Sequence, residues 1–245
     1  MENWFEDWFD SPFYHLLYNH RDFTEAEHFI ENLFQFLNPN KESSLILDLA
    51  CGKGRHSIQL NQLGYDVVGL DLSEQSIYHA KTFENDRLHF HTADMRDFKM
   101  DVEFDIVLNL FTSFGYFKSH EENLEVFKTI DKNLSKNGRI VLDYLNVQKV
   151  VKNIPSEEKI VREGLEFNIK KKLKDEFIVK QISFNSDNKE YHFKEYVKAI
   201  DLIEFEKLAH EANFKITHIF GNYTLANFDK KSSDRLILIM ERNVN

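Results

Sequence analysis

The chain is 245 residues long, enough for one large domain or two small ones, and 42% hydrophobic content with 23 phenylalanines supplies a sizeable core and excludes a disordered polymer. A formal charge of −10 repels phosphate backbones and anionic lipid on average, so neither a nucleic acid nor a membrane is an expected partner. Cys51 is the only cysteine, which excludes an internal disulfide and a multi-cysteine metal site; no metal is expected, and without a basic leader or a run of 18 apolar residues the chain is read as cytoplasmic.

Three prolines and eight glycines leave no linker to divide the chain, so its organisation is read from periodicity. Residues 1–22 are aromatic and irregular, and Thr24 with Glu27 offers a capping box to a helix bearing Phe29, Ile30, Leu33, Phe34 and Leu37 on one face. Together these make an N-terminal helical cap over residues 1–42. A short apolar strand, Leu45 to Leu49, then enters a glycine-containing turn and a helix from Arg55 to Leu63. Asp66 to Asp71 reads as a second buried strand, Ser73 caps a helix running through Ala80, and Leu88 to His91 and Phe104 to Leu110 follow as strands. Ser119 and Glu122 form a capping box for the next helix, after which Asn137-Gly138 turns the chain into a strand from Arg139 to Tyr144. This alternation predicts an α/β fold: a three-layer, Rossmann-like sandwich around a mostly parallel sheet.

Residues 147–199 form an expected antiparallel β insertion, in which Glu166 to Leu173, Phe177 to Phe184 and Tyr191 to Ile200 look like three strands. The run Lys170-Lys171-Lys172 with Lys174 is the best basic patch, and its alternating apolar neighbours mark it as the solvated end of a strand. The α/β pattern resumes with a helix capped by Asp201. Two closing strands, Lys215 to Phe220 and Arg235 to Glu241, have no helix between them and should be antiparallel, giving seven strands in all. The core is thus expected at 43–146 and 200–245 within a single domain of 1–245.

The segment carrying the chemistry is Asp48-Leu49-Ala50-Cys51-Gly52-Lys53-Gly54-Arg55-His56, followed by Val67 to Ser73. In an open α/β sheet ligands bind beyond the carboxyl ends of the strands, where Gly52 and Gly54 let a ligand approach backbone and Asp71 can receive both hydroxyls of a ribose. A dinucleotide fingerprint would place a third glycine where Ser57 stands, and Asp48 would repel a diphosphate yet suits a ligand bearing a sulfonium and an ammonium. Both aspartates also read as ordinary helix-flanking acids. Cys51, with no adjacent His/Asp pair to activate it, is a small loop residue and not a nucleophile.

This segment resembles motif I and its successor in class I S-adenosylmethionine-dependent methyltransferases, in the branch reading D-L-x-C-G-x-G-R-H, over about residues 43–145 and 200–241. The resemblance implies S-adenosylmethionine as cofactor, with backbone at Ala50, Cys51, Gly52 and Gly54 against its methionine part, Asp48 near the ammonium, Asp71 on the ribose and Leu72 beside the adenine. It also implies that Asp94 and Met95 bracket the adenine, and that Asn109 and Leu110 lie beside the methionine portion. Asp97 is an equal candidate beside Asp94, and Met95 reads equally as core. An N-terminal piece often closes over the cofactor in such enzymes, and Tyr18 and Arg21 could meet its carboxylate, although a surface arginine beside an amphipathic helix fits the same residues.

The resemblance further implies methyl transfer by in-line displacement to a small or medium organic acceptor, with the cofactor already carrying the activated group. Acceptor contacts are expected from Phe114, Tyr116, Tyr144, His192 and Tyr223. Candidate bases are His15, His20, Tyr116, Tyr144, His192 and Tyr223, with none singled out. The segment Asn109 to Tyr116 departs from the D-P-P-Y sequence of amino-methylating DNA enzymes. The insertion, with Phe184, Tyr191, Phe193 and Tyr196, either roofs the acceptor pocket or packs its own sheet. A methyltransferase for protein or tRNA and a nicotinamide-dependent oxidoreductase stand as alternatives, the second lacking any Tyr-x-x-x-Lys. Nothing in the sequence specifies an oligomeric state.

Overall fold

The computed structural model describes residues 8–9, 11–18 and 23–243. Its seven-stranded sheet has the order β10-β11-β5-β4-β1-β2-β3, with β1 at Leu45–Leu49, β2 at Asp66–Asp71, β3 at Leu88–Thr92, β4 at Phe104–Asn109, β5 at Leu134–Leu145, β10 at Phe214–Phe220 and β11 at Arg235–Arg242. Strands β1 to β5 pair in parallel, and β11 runs antiparallel to both β5 and β10, so β10 points the same way as the first five. The order steps outward from β1 in both directions, which creates a topological switch point between β1 and β4, where open α/β sheets bind ligands.

Period-two alternation within each strand builds the two cores. On one face Leu47, Leu49, Ile140, Leu142 and Leu238 meet Phe127 and Ile130 of α5 (His120–Asn133) and Phe205 and Leu208 of α7 (Leu202–Glu211). On the other, Ile46, Val67, Val141 and Ile237 meet Phe29, Ile30 and Leu33 of α2 (Phe23–Leu37), Leu60 of α3 (Arg55–Gln62) and Ile77 of α4 (Glu74–Ala80). Each buried large apolar side chain contributes roughly 1.5 to 3 kcal/mol, so this double layer sets the orientation of every strand end.

Local signals held where backbone chemistry is self-contained. Ser73 accepts from the Ser76 N–H at 3.0 Å, Ser119 and Glu122 complete a reciprocal capping box, and Asp201 accepts from the Glu204 N–H at 3.1 Å. Helix α2 is already described at Phe23, so Thr24 lies inside it, and the Thr24 side chain falls outside the described residues. The expected turn at Asn137-Gly138 is corrected: β5 begins at Leu134, and its pairing steps from Leu134 to Arg139 while β4 advances only from Phe104 to Ile106. Residues 135–138 therefore bulge from a continuous strand.

Between the last parallel strand and α7 the chain forms α6 (Val147–Lys152) and a separate four-stranded antiparallel sheet, β6 (Ser156–Arg162), β7 (Leu165–Lys174), β8 (Phe177–Ser186) and β9 (Lys189–Lys198). Three strands were expected; β6 is the fourth. Its sequence, Ser-Glu-Glu-Lys-Ile-Val-Arg, shows little apolar alternation, because it pairs by charge: Lys170 meets Glu157 at 3.0 Å, Lys171 meets Glu158 at 2.7 Å and Lys159 meets Glu166 at 2.8 Å. Those pairs offset part of the lysine run on β7. The inner face, with Phe167, Ile169, Ile182 and Phe184, closes on Trp8, Phe13 and Leu17, the last two in α1 (Pro12–Tyr18). Among the described residues no helix is long and apolar enough to cross a membrane.

Candidate functional site

An open cleft lies at the carboxyl ends of β1, β2 and β3. One wall is Leu49, Ala50, Asp71, Leu72, Ala93, Asp94 and Met95; the other is Phe9, Tyr116 and Phe117. The space between the walls is about 510 Å³, counting the part open to solvent.

The turn after β1 is built by left-handed backbone at Ala50 (φ 64°), Gly52 (φ 58°) and Gly54 (φ 82°). The two glycines serve different purposes. A Cβ on Gly52 would meet no atom within 4 Å, so its missing side chain leaves space open beside the turn, whereas a Cβ on Gly54 would stand 2.6 Å from the ring of Phe90. The space beside Gly52 is therefore open, while Gly54 is required by internal packing as well, a reason beyond the common one expected for both.

Asp71 is fixed before any ligand arrives. Its Oδ2 accepts from the Gly52 N–H and its Oδ1 from the Ser73 N–H, each at 2.8 Å. The carboxylate is thereby held at the cleft wall in one orientation, and each carboxylate oxygen can accept more than one hydrogen bond. Asp48, one strand over, is 1% exposed and accepts from the Ser57 hydroxyl at 2.6 Å. Burial pushes its carboxyl up from 3.8 to about 6, with the Ser57 bond opposing and the neighbouring Asp71 charge adding to the rise.

Asp94 lies in the cleft wall and Asp97 does not. The Arg96 guanidinium grips Asp94 through Nη2 at 2.6 Å and reaches Glu122 at 2.8 Å. Partial burial raises the Asp94 carboxyl, but the Arg96 bonds and charge outweigh it and hold the group below its ordinary value. Arg96 also sits 4.4 Å above the Phe117 ring, joining the two walls. Met95 both lines the cleft and packs against the core.

Other expected residues lie elsewhere. Cys51 is buried, its thiol pushed well above the ordinary value by burial and by Asp48 and Asp71, and it takes no part in the cleft wall. Asn109 is buried and donates to the Leu49 carbonyl at 3.1 Å, while its Oδ1 has no hydrogen-bond partner; Leu110 belongs to the core. Phe114 is core between Phe127 and Phe205, and Tyr144, fully buried, donates its hydroxyl to the Lys198 carbonyl. Both side chains are buried and neither lies in the cleft wall where an acceptor contact was expected, and burial raises the Tyr144 phenol above its ordinary value. His192 is exposed on β9 beside Glu190, and Tyr223 packs on Phe29 and Phe111.

Tyr18 is also placed away from the cleft wall: it donates to Glu195 at 2.6 Å and accepts from Lys180. Arg21 and His20 lie outside the described residues, as does the His15 side chain. Sequence reasoning missed Phe9, Phe117 and Arg96; only the spacing of Asp94 and Arg96, two residues apart on a turn, carried a signal. Among the described residues no group of three or more His, Cys, Asp or Glu is arranged to hold a metal ion.

Comparison with known proteins adds the following. The sequence pattern of the methyltransferase-domain family matches residues 40–196. Over 102 residues the chain is 35% identical to dTDP-3-amino-3,4,6-trideoxy-alpha-D-glucopyranose N,N-dimethyltransferase of Streptomyces venezuelae, covering 42% of this chain and 43% of that protein. The chain thus spans less than half the length of that relative. It is 25% identical to glycine/sarcosine N-methyltransferase of Aphanothece halophytica, covering 83% of this chain and 76% of that one. Its fold is similar to a solved S-adenosylmethionine-dependent methyltransferase of Clostridium acetobutylicum, with TM-score 0.80 at 18% identity over 94% of this chain and 96% of the other. Streptomyces venezuelae DesVI is also similar, with TM-score 0.71 at 20% identity over 94% of this chain and 96% of that one.

Proposed function

The chain belongs to the methyltransferase-domain family, and from that membership we propose that it transfers the methyl group of S-adenosylmethionine to a small organic acceptor, with an amine nitrogen as the methylated atom. The observation that carries the cofactor reading is the Asp71 carboxylate, locked by the Gly52 and Ser73 N–H groups at the edge of the cleft. A 1,2-diol placed there meets an acceptor whose orientation has no further entropy to lose.

The residues fit this cofactor. Leu72 and Met95 offer apolar contact to a flat heterocycle, and Asp94 offers an acceptor to an exocyclic amine. Open space beside Gly52 admits a ligand to the turn. Asp48, with its carboxyl near 6, gains most from a neighbouring cation, and an ammonium or sulfonium would favour the charged form that burial disfavours. Asn109, beside the same turn, holds Leu49 and so the strand end.

When bound, S-adenosylmethionine supplies a methyl group already activated for in-line displacement. The protein's share is positioning and exclusion of water. Phe9, Tyr116 and Phe117 close the cleft opposite the strand ends, and the second sheet anchors that closure through Trp8 and α1. An amine that arrives neutral attacks without a base and releases its proton to solvent after transfer. The amine assignment draws on the names of the relatives, an amino-sugar N,N-dimethyltransferase and a glycine/sarcosine N-methyltransferase. A reduced, buried Cys51 suits the cytoplasmic location proposed.

Isothermal titration with S-adenosylhomocysteine and NAD, followed by transfer of labelled methyl into small-molecule, protein and RNA fractions, tests the reading. Binding of the first ligand alone and label in the small-molecule fraction are expected. Label confined to RNA or protein would reject the small acceptor, and absence of adenosyl binding would reject the site.

A further inference from the structure

The loop that follows β4 carries strain that the cofactor cleft does not explain. Phe111 (φ 57°) and Thr112 (φ 65°) are adjacent and both left-handed, a conformation unfavourable for any residue with a side chain and worst for a β-branched one. Such backbone persists only where its surroundings over-determine it.

The surroundings here converge on one carboxylate. Asp143, on β5 and 0% exposed, accepts the Phe111 N–H at 2.9 Å and the Tyr223 hydroxyl at 3.2 Å on Oδ2, and Arg235 Nε at 2.7 Å on Oδ1. Its main-chain carbonyl accepts the Thr112 N–H at 3.0 Å. Arg235 then reaches past Asp143 and donates through Nη2 to Thr112 Oγ1 at 2.8 Å. Two side chains thus hold both left-handed residues at backbone and side-chain level. The Phe111 ring also stacks on His56 at 4.8 Å, an imidazole kept neutral by burial and by Arg55.

The consequence reaches the cleft. The carbonyl of Thr112 accepts the Tyr116 hydroxyl at 2.9 Å, and the Tyr116 ring forms part of the cleft wall, 5.5 Å from Phe9. We infer that Asp143 and Arg235 are positioning residues that lock the Phe111-Thr112 turn and thereby set where Tyr116 stands in the cleft wall. The use of that cleft rests on the methyltransferase reading; the dependence of the turn on Asp143 stands without it. A carboxylate suits this position because its two side-chain oxygens take three donors, whereas an asparagine turns one of those positions into a donor.

Hydrogen exchange read by mass spectrometry on the full chain tests this in Asp143→Asn, in Arg235→Lys and in Asp143→Asn combined with Thr112→Gly, alongside titration with S-adenosylhomocysteine. In Asp143→Asn the amides of residues 110–116 should exchange roughly 10- to 100-fold faster while those of β1 and β2 are unchanged, and the affinity for S-adenosylhomocysteine should fall, since Tyr116 shares the cleft wall with Phe9. Label transfer into the small-molecule fraction at saturating cofactor should drop about tenfold, the cost of a misplaced cleft wall. Adding Thr112→Gly should slow the exchange again and recover part of the transfer, since glycine holds a left-handed turn without a clamp.

Arg235→Lys decides the matter if Asp143→Asn does not fold, because it keeps the charge and shortens the reach to Thr112. Wild-type exchange at residues 110–116 in folded Arg235→Lys, or faster exchange spread evenly over the sheet, would overturn the inference. Failure of wild-type protein to bind S-adenosylhomocysteine would reject the methyltransferase reading instead, leaving the exchange result to decide the role of the clamp.

Discussion

Ser57 donates its hydroxyl to Asp48 at 2.6 Å, and both side chains are buried beneath the turn that follows β1. That bond lowers the Asp48 carboxyl, yet burial wins and leaves it near 6. A carboxyl raised in the folded state favours folding while it is protonated, so its contribution is complete below about pH 4 and disappears as pH rises through 6. The ligand-free wild type should therefore lose up to about 3 kcal/mol relative to Asp48→Asn between pH 4 and pH 7. Denaturation midpoints for both proteins across that range check it, and parallel curves would contradict it.

Loss of Asp71 should act on the ligand. Asp71→Ala removes charge-assisted hydrogen bonds of roughly 1.5 to 3 kcal/mol, which corresponds to about 10- to 100-fold weaker S-adenosylhomocysteine binding by calorimetry. Unchanged affinity in a variant with wild-type circular dichroism would remove Asp71 from the site.

The two turn glycines should separate binding from stability. Gly54→Ala places a Cβ 2.6 Å from the Phe90 ring at a left-handed position, and the sum of strain and overpacking is about 2 to 4 kcal/mol. Gly52→Ala has open space around its Cβ and should cost only about 1 kcal/mol of stability, while obstructing the ligand and weakening its binding. Urea midpoints and titrations should therefore rank the variants in opposite orders. The same order in both assays would defeat the distinction.

What the sequence made legible follows from the range of each interaction. The capping residues Ser73, Ser119 and Asp201 bond within three residues of themselves, and the strands flanking Gly52 and Asp71 declare themselves by apolar runs. The clamp could not be read, since Asp143 meets Arg235 across 92 positions and Phe111 across 32. Tyr144 looked like a ligand contact because a tyrosine at a strand end is ambiguous; only its burial against Phe205 and its bond to Lys198 show it to be a strut. Strand β6 hid for the opposite reason, its pairing being carried by charges that periodicity does not count.

Glu195 should govern the closure of the cleft. Its Oε1 accepts Trp8 Nε1 at 2.7 Å and the Tyr18 hydroxyl at 2.6 Å, and Lys180 lies 3.7 Å from Oε2, with both charged side chains about one-seventh exposed. These bonds tie the segment that carries Phe9 to β8 and β9. Glu195→Gln keeps an acceptor for Trp8 and Tyr18 but leaves the Lys180 charge facing a neutral group, while Glu195→Ala removes the acceptor as well. Alanine should therefore exceed glutamine in effect, by about 1 to 3 kcal/mol of local stability. Residues 8–18 should become the first site of limited proteolysis, and cofactor affinity should fall with them because Phe9 forms part of the cleft wall. Equal protection of that segment in wild type and in folded Glu195→Ala would mean that the apolar packing of Trp8 and Leu17 on Phe167 and Phe184 holds it without the polar anchor.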